Sequence, residues 1–178
     1  HFWGFQHAGI QPDIVTMAKP MGNGLPLAVV VTSRKLVEGF LKTERYFNTF
    51  GGNQVVAAAG IAVLDVLRAE NLQENALQIG AYLRRRFALL MEKDERIGDV
   101  RGTGLFVGIE IVKNRTQGTA APETARAIIE GLLQRGVLVG ITGAGRNLLK
   151  IRPPMIFSQE NADQLVETLE QTLKATPR

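Results

Sequence analysis

Apolar positions recur along this chain with two periods, and the change from one to the other divides it. Residues 12 to 18 (P-D-I-V-T-M-A) and 26 to 32 (P-L-A-V-V-V-T) are short, β-branched and apolar at consecutive positions. That pattern predicts strands covered on both faces and central to a sheet. From Gln54 to Glu70 the apolar residues Val55, Ala58, Ala59, Ala62, Val63, Val66 and Leu67 recur at three and four, which predicts a closely packed helix. Leu72 to Lys93 repeats the period with Leu77, Tyr82, Leu83, Phe87 and Leu90, a second helix, the two together joining one unit to the next. Strands are then expected at Ile97 to Arg101 and Leu105 to Val112, joined through Gly102 and Gly104.

Residues 114 to 121 are polar and threonine-rich, a loop. Pro122 and Glu123 open a helix that runs to Arg135 and stops before Gly136. Val137 to Ile141 and Leu148 to Ile151 read as strands, and Ser158 caps a last helix through Leu173, with Glu160 in its first turn. The second part is thus α+β, and the first, with strands that precede a helix, is α/β. A strand stands almost at the start, without a helix or strand before it, so the chain is expected to be the later part of something larger.

Composition narrows the classes. The 178 residues, 45% of them hydrophobic, suit one globular domain or parts of two. No apolar run approaches the roughly 20 residues of a membrane-spanning helix. The opening His1-Phe2-Trp3-Gly4-Phe5 lacks the order of a signal peptide, so a cytoplasmic chain is expected. Without cysteine there are no disulfides, thiolate nucleophiles or zinc-thiolate sites. The net charge of +4 comes from scattered cations. Their one run, Arg84-Arg85-Arg86, falls in a helical segment as a solvated face, so neither nucleic acid nor a membrane is an expected partner. His1 and His7 have no ligand-type neighbours at metal-like spacing, and no metal site is expected.

Three stretches carry candidate chemistry. In A-K-P-M-G-N-G, Lys19 stands where a strand gives way to a glycine-containing loop. Pro20 is expected to hold Lys19 extended, and Gly22 and Gly24 let a small molecule approach the chain. A desolvated lysine there has the amine needed for a Schiff base with an aldehyde, and an ordinary solvated lysine beside a loop is the competing account. In Y-F-N-T-F-G-G-N-Q, Thr49, the glycine amides and the following helix start offer an anion site, with Asn53 as a plain N-cap the competing account. In N-L-L-K-I-R-P-P-M, Lys150 and Arg152 fall on one face of a strand, either gripping a carboxylate or phosphate or facing solvent.

Taken in order, P-D-I-V-T-M-A-K-P-M-G-N-G, N-T-F-G-G-N, R-G-T-G-L-F-V-G-I-E and K-I-R-P-P resemble the class III pyridoxal 5'-phosphate (PLP) dependent aminotransferases of fold type I, over essentially the whole chain. F-W-G-F-Q, Y-F-N-T-F-G-G-N and R-N-L-L-K-I-R-P-P-M are most similar to the branch of alanine-glyoxylate aminotransferases and ethanolamine-phosphate phospho-lyases. The resemblance implies that Lys19 is the Schiff-base lysine. It further implies that Thr49 holds the phosphate of PLP bound mainly by the other subunit of a homodimer. Residues 1–66 would end the PLP-binding large domain, and 67–178 would form the small C-terminal α+β domain. The substrates implied are a small amine or amino acid and an oxo acid.

One position departs from the pattern. Where many aminotransferases of the family carry an arginine in R-x-x-P-P that grips the substrate carboxylate, this chain has Lys150. A lysine lacks the planar fork, so a phosphorylated amine, and elimination of its phosphate, stands beside amino transfer, with Arg152 the alternative grip. The family's aspartate for the pyridine nitrogen, its phosphate loop and its ring-stacking aromatic would all precede His1, so the chain alone is not expected to be a competent enzyme. The contrasting expectation is a noncatalytic module that contributes a dimer surface, against which the intact K-P-M-G-N-G argues.

Overall fold

The computed structural model describes residues 1–177, and the chain divides into two compact units, His1–Asn71 and Leu72–Arg178. In the first unit, β1 (Ile14–Met17) and β2 (Val29–Thr32) form a two-stranded antiparallel ribbon in which Ile14 faces Thr32 and Met17 faces Val29. The expected covering on both faces is not found among the described residues. Ile14, Val30 and Val31 are exposed, because β1 and β2 pair only with each other and no helix layer packs over their faces among the described residues.

α1 (Arg34–Thr43) is a helix that the hydrophobic pattern did not bring out. The Ser33 hydroxyl accepts from the Leu36 amide and caps it, and its apolar residues Leu36, Val37, Phe40 and Leu41 are all exposed. α2 (Gln54–Ala69) follows the expected period, with the Asn53 side chain accepting from the Val56 amide. It packs against the turn that carries Lys19, and Gly60 is the close point: a Cβ there would lie 2.6 Å from the Leu27 Cδ2.

The second unit holds the core. α3 (Leu72–Lys93) leads into the hairpin of β3 (Ile97–Thr103) and β4 (Phe106–Ile111); α4 (Pro122–Gln134) precedes β5 (Gly140–Thr142) and β6 (Leu148–Ile151); α5 (Gln159–Ala175) closes the unit. The four strands are antiparallel in the order β3-β4-β6-β5. One face of the sheet, through Val107, Ile109, Leu149 and Ile151, buries against Leu83, Phe87, Ala125, Ile128, Leu132, Val166 and Leu169 of the helices. Each large side chain so buried contributes about 2 kcal/mol, which makes this face the main source of cohesion.

β5 is shorter than the expected Val137–Ile141, for a reason that lies in the preceding helix. Gly136 takes φ 81°, its amide donates to the Leu133 carbonyl and that of Val137 to the Leu132 carbonyl. This pair of bonds caps α4 and holds Val137 to the helix end instead of to the sheet.

Candidate active site and anion-binding strand

The first candidate, Lys19, leaves the end of β1 at the start of a short 3-10 turn, Lys19–Gly22. Its backbone is not extended as Pro20 predicts; φ is 61°, the left-handed region. Pro20 disfavours only the right-handed helical basin for its predecessor, and the turn closed by the Asn23 amide on the Pro20 carbonyl takes up the remaining freedom. A left-handed non-glycine residue costs on the order of 1–3 kcal/mol. The Lys19 side chain is exposed, so the expected desolvation is not found among the described residues, and it makes no hydrogen bond or ion pair there. Gly22 behind it is buried, with the Leu27 Cβ 3.0 Å from where a side chain would begin, so this turn is pinned from below.

Thr49 sits in the turn between α1 and α2. The Asn48 side chain accepts from the Phe50 amide and its carbonyl from the Gly51 amide, leaving the exposed Thr49 hydroxyl uncommitted. The helix start behind it is already capped by Asn53, so the amide of Val56 is taken and the plain capping account holds for that residue. What remains open to an anion is the Thr49 hydroxyl and the glycine backbone of Gly51 and Gly52, the latter at φ 71°.

In the second unit, Lys150 lies on β6 and Arg152 one residue past its end. Lys150 pairs with Gly108 of β4 on one side and Gly140 of β5 on the other. Neither neighbouring strand sets a side chain of its own directly opposite it, and the Leu148 side chain leans over Gly108. Its side chain belongs to the sheet face opposite the core, with Arg101, Phe106 and Glu110. Arg101 donates to Asp99 and Glu110, each at 2.6 Å; the Glu110 bond first and then that to Asp99 raise its pKa further. Arg152 has no carboxylate partner among the described residues and lies with its guanidinium carbon 5.8 Å from the Phe106 ring centre. The sequence period predicts Lys150 and Arg152 on one face; Arg152 lies past the paired strand, and its position over Phe106, which shares the face of Lys150, puts it on that side. The glycine pair beside Lys150 was missed; only the sheet order, which no local pattern reveals, brings Gly108 and Gly140 to either side of it.

No His, Cys, Asp and Glu group suited to a metal ion occurs among the described residues, and none of their helices is long and apolar enough to cross a membrane.

Known proteins share this arrangement. The family described as aminotransferase class-III matches residues 1–173. Alanine–glyoxylate aminotransferase 2 homolog 2, mitochondrial, of Arabidopsis thaliana is 46% identical over 97% of this chain, and human alanine–glyoxylate aminotransferase 2, mitochondrial, is 42% identical over 97%. The chain spans only about a third of the length of these relatives, 36% and 34%. Among solved structures, a phospholyase from Arthrobacter in complex with phosphoethanolamine superposes with a TM-score of 0.95 at 42% identity, over 98% of this chain and 42% of that one. A Bacillus anthracis aminotransferase superposes at 0.90 with 30% identity, over 97% of this chain and 41% of that one. The two units are thus those of a fold type I transaminase, and the chain belongs to the class III aminotransferase family.

Proposed function

We propose that this chain supplies the lysine and the anion-binding strand of a PLP-dependent aminotransferase, which moves an amino group from an amine or amino acid to an oxo acid. The observation that carries this is Lys19: a free primary amine on a strained backbone, at a strand end, above a buried glycine. Backbone strain held in place by surrounding structure concentrates at functional sites. The residues present suit PLP. A primary amine without an ion-pair partner is the group that condenses with an aldehyde, and the uncommitted Thr49 hydroxyl and the Gly51-Gly52 backbone suit a phosphate.

PLP, when bound, supplies an aldehyde carbon and a ring that accepts electrons from the substrate carbon. The chain's own residues do the rest. Lys19 would hold the cofactor, and its Nζ, when free, would take the proton from the substrate carbon and deliver it to the carbon that keeps the nitrogen, which is what separates amino transfer from simple return of the proton. Thr49 donates to the phosphate, for a cofactor bound mainly by the second subunit of a homodimer. Lys150 and Arg152 orient the substrate through its anionic end. Residues 1–66, within the first unit, end the PLP-binding large domain, and residues 67–178 form the small domain. A reducing, cytoplasmic setting accords with the absence of cysteine.

A second reading, elimination of phosphate from a phosphorylated amine, is favoured by Lys150. An ammonium can hold a phosphate as a point charge, and a phosphorylated amine that has no α-carboxylate does not need the planar fork that this position lacks. The likeness to the Arthrobacter phospholyase supports the same choice.

The test uses the full-length protein loaded with PLP. Phosphate release from phosphoethanolamine, abolished in Lys19→Ala, assigns elimination. Transfer of nitrogen from an amino acid to an oxo acid, abolished by the same substitution, assigns amino transfer. Either reaction surviving in Lys19→Ala removes Lys19 from the chemistry and the proposal with it.

A further inference from the structure

Phe106 is a large apolar side chain, 59% exposed, on the sheet face that it shares with Arg101, Glu110, Lys150 and the half-buried Leu148. Core packing does not account for it, since the core takes Val107 and Ile109 from the opposite face of the same strand. The strand register gives its neighbour. Val107 faces Ile151 across β4 and β6, so the next positions outward are Phe106 and Arg152, and the guanidinium carbon of Arg152 lies 5.8 Å from the ring centre. That is within the range of a cation-π contact.

Arg84, Arg85, Arg115, Arg126, Arg135 and Arg146 of this unit also lack a carboxylate partner among the described residues. Of these and Arg152, only Arg152 lies over an aromatic ring, and three further arginines give the contrast. Arg86 also lies over an aromatic ring, that of Tyr82, but is bonded to Asp163; Arg96 is held by Asp94, and Arg101 by Asp99 and Glu110. Their charge is already matched by a carboxylate. Arg152 has none among the described residues, so its charge and its five N–H donors remain available to an incoming anion. An aromatic ring can restrain a guanidinium without consuming either, which an acidic side chain cannot. Pro153 and Pro154 fix the backbone that follows. The side chain is thereby restrained at both ends.

We propose that Phe106 is a positioning residue for the anionic end of the substrate: it orders Arg152 before binding while leaving that cation unneutralised. This rests on Arg152 being an anion-binding residue, as proposed above.

The experiment measures binding of inorganic phosphate to the full-length, PLP-loaded protein by calorimetry, in wild type, Phe106→Leu, Phe106→Tyr, Arg152→Ala and the double variant Phe106→Leu/Arg152→Ala. A cation-π contact at an exposed site predicts roughly 2- to 5-fold weaker binding in Phe106→Leu. Phe106→Tyr, which keeps the ring, retains wild-type affinity. In the Arg152→Ala background Phe106→Leu has no further effect, a coupling that general damage to the fold would not produce. Two results overturn the proposal with Arg152 still binding the anion: wild-type affinity in Phe106→Leu, or the same loss from Phe106→Leu with and without Arg152. If Arg152→Ala itself binds phosphate as wild type does, the assignment of Arg152 fails first and takes the proposal with it.

Discussion

Gly80 of α3 and Gly104 of the β3–β4 hairpin meet backbone to backbone: a Cβ at Gly80 would lie 2.0 Å from the Gly104 carbonyl oxygen and 2.2 Å from its carbon. Gly104 itself takes φ 52°. Neither partner has a side chain that can rotate away, so the helix can approach the hairpin this closely only with glycine at position 80.

The consequence for Gly80→Ala follows from two opposed magnitudes. Alanine in a helix interior is favoured over glycine by about 0.5–1 kcal/mol. Forcing a methyl group into a backbone contact costs about 1–3 kcal/mol or more. The clash wins, and Gly80→Ala is expected to lower the denaturation midpoint of the full-length protein. Gly60→Ala on α2 is the control. There the obstructing atom is Leu27 Cδ2, the far end of a side chain, and rotating it costs about 1 kcal/mol, close to the helix-propensity gain. Thermal melts that rank the two variants equally would show that the Gly80 contact is not the constraint described.

Arg96 is expected to be the most sensitive charged position of the second unit. It is buried, donates to Asp94 at 2.7 Å and 3.0 Å, and bonds the carbonyls of Leu173, Thr176 and Pro177 at the end of α5. One guanidinium thus satisfies carbonyls that the helix end leaves open. Arg96→Ala removes them together and leaves Asp94 short of its charge partner, a loss of about 3–5 kcal/mol by comparison with other broken buried pairs. Arg96→Lys, whose ammonium is a point charge, recovers only a minor part. Urea titration of the three proteins checks the order; a lysine variant as stable as wild type would mean that charge, and not the fork, is what matters.

The parts legible in the sequence were those whose signal is local. α3 and β6 follow the expected bounds because the period that marks each lies within the segment itself. α1 was missed although Ser33 caps it and Leu36, Val37, Phe40 and Leu41 recur at helical spacing; Gly39 and the adjoining strand obscured a signal only ten residues long. A-K-P-M-G-N-G singled out Lys19 as a candidate but did not show its left-handed backbone, because the rule for residues before proline excludes one basin without choosing between the others. The glycine pair beside Lys150 and the Phe106–Arg152 contact depend on which strands become neighbours, a non-local fact.

The pH dependence of stability has one identified contributor. Hydrogen bonding to Lys174, then the charges of Lys174 and Lys93, lower the Glu170 pKa, with the two ammonium groups at 3.1 Å and 3.8 Å. A carboxylate whose pKa is lower folded than unfolded stabilises above its unfolded value and loses that contribution as pH falls through the folded one. Glu170→Gln should therefore flatten the decline in stability below about pH 4. The pair is on the surface, so the difference should be small and shrink further in high salt. A difference that persists in high salt would contradict the electrostatic origin.

Lys19 sets chemistry against backbone preference, and that conflict is measurable without any catalysis. At φ 61° the residue has a Cβ in the region glycine occupies without penalty, and the left-handed conformation costs an L-residue about 1–2 kcal/mol. Lys19→Ala keeps the Cβ and keeps the cost; Lys19→Gly removes both. Glycine also makes the unfolded chain more flexible, which takes back about 0.4–1 kcal/mol, so the net gain of Lys19→Gly over Lys19→Ala is about 1 kcal/mol or less. Both variants lack the amine, and with the cofactor removed from all three proteins the glycine variant should melt above the alanine one. An alanine variant that melts at or above the glycine variant would mean that the turn relaxes once the lysine is gone, and that the strain belongs to the side chain's placement and not to the backbone at position 19.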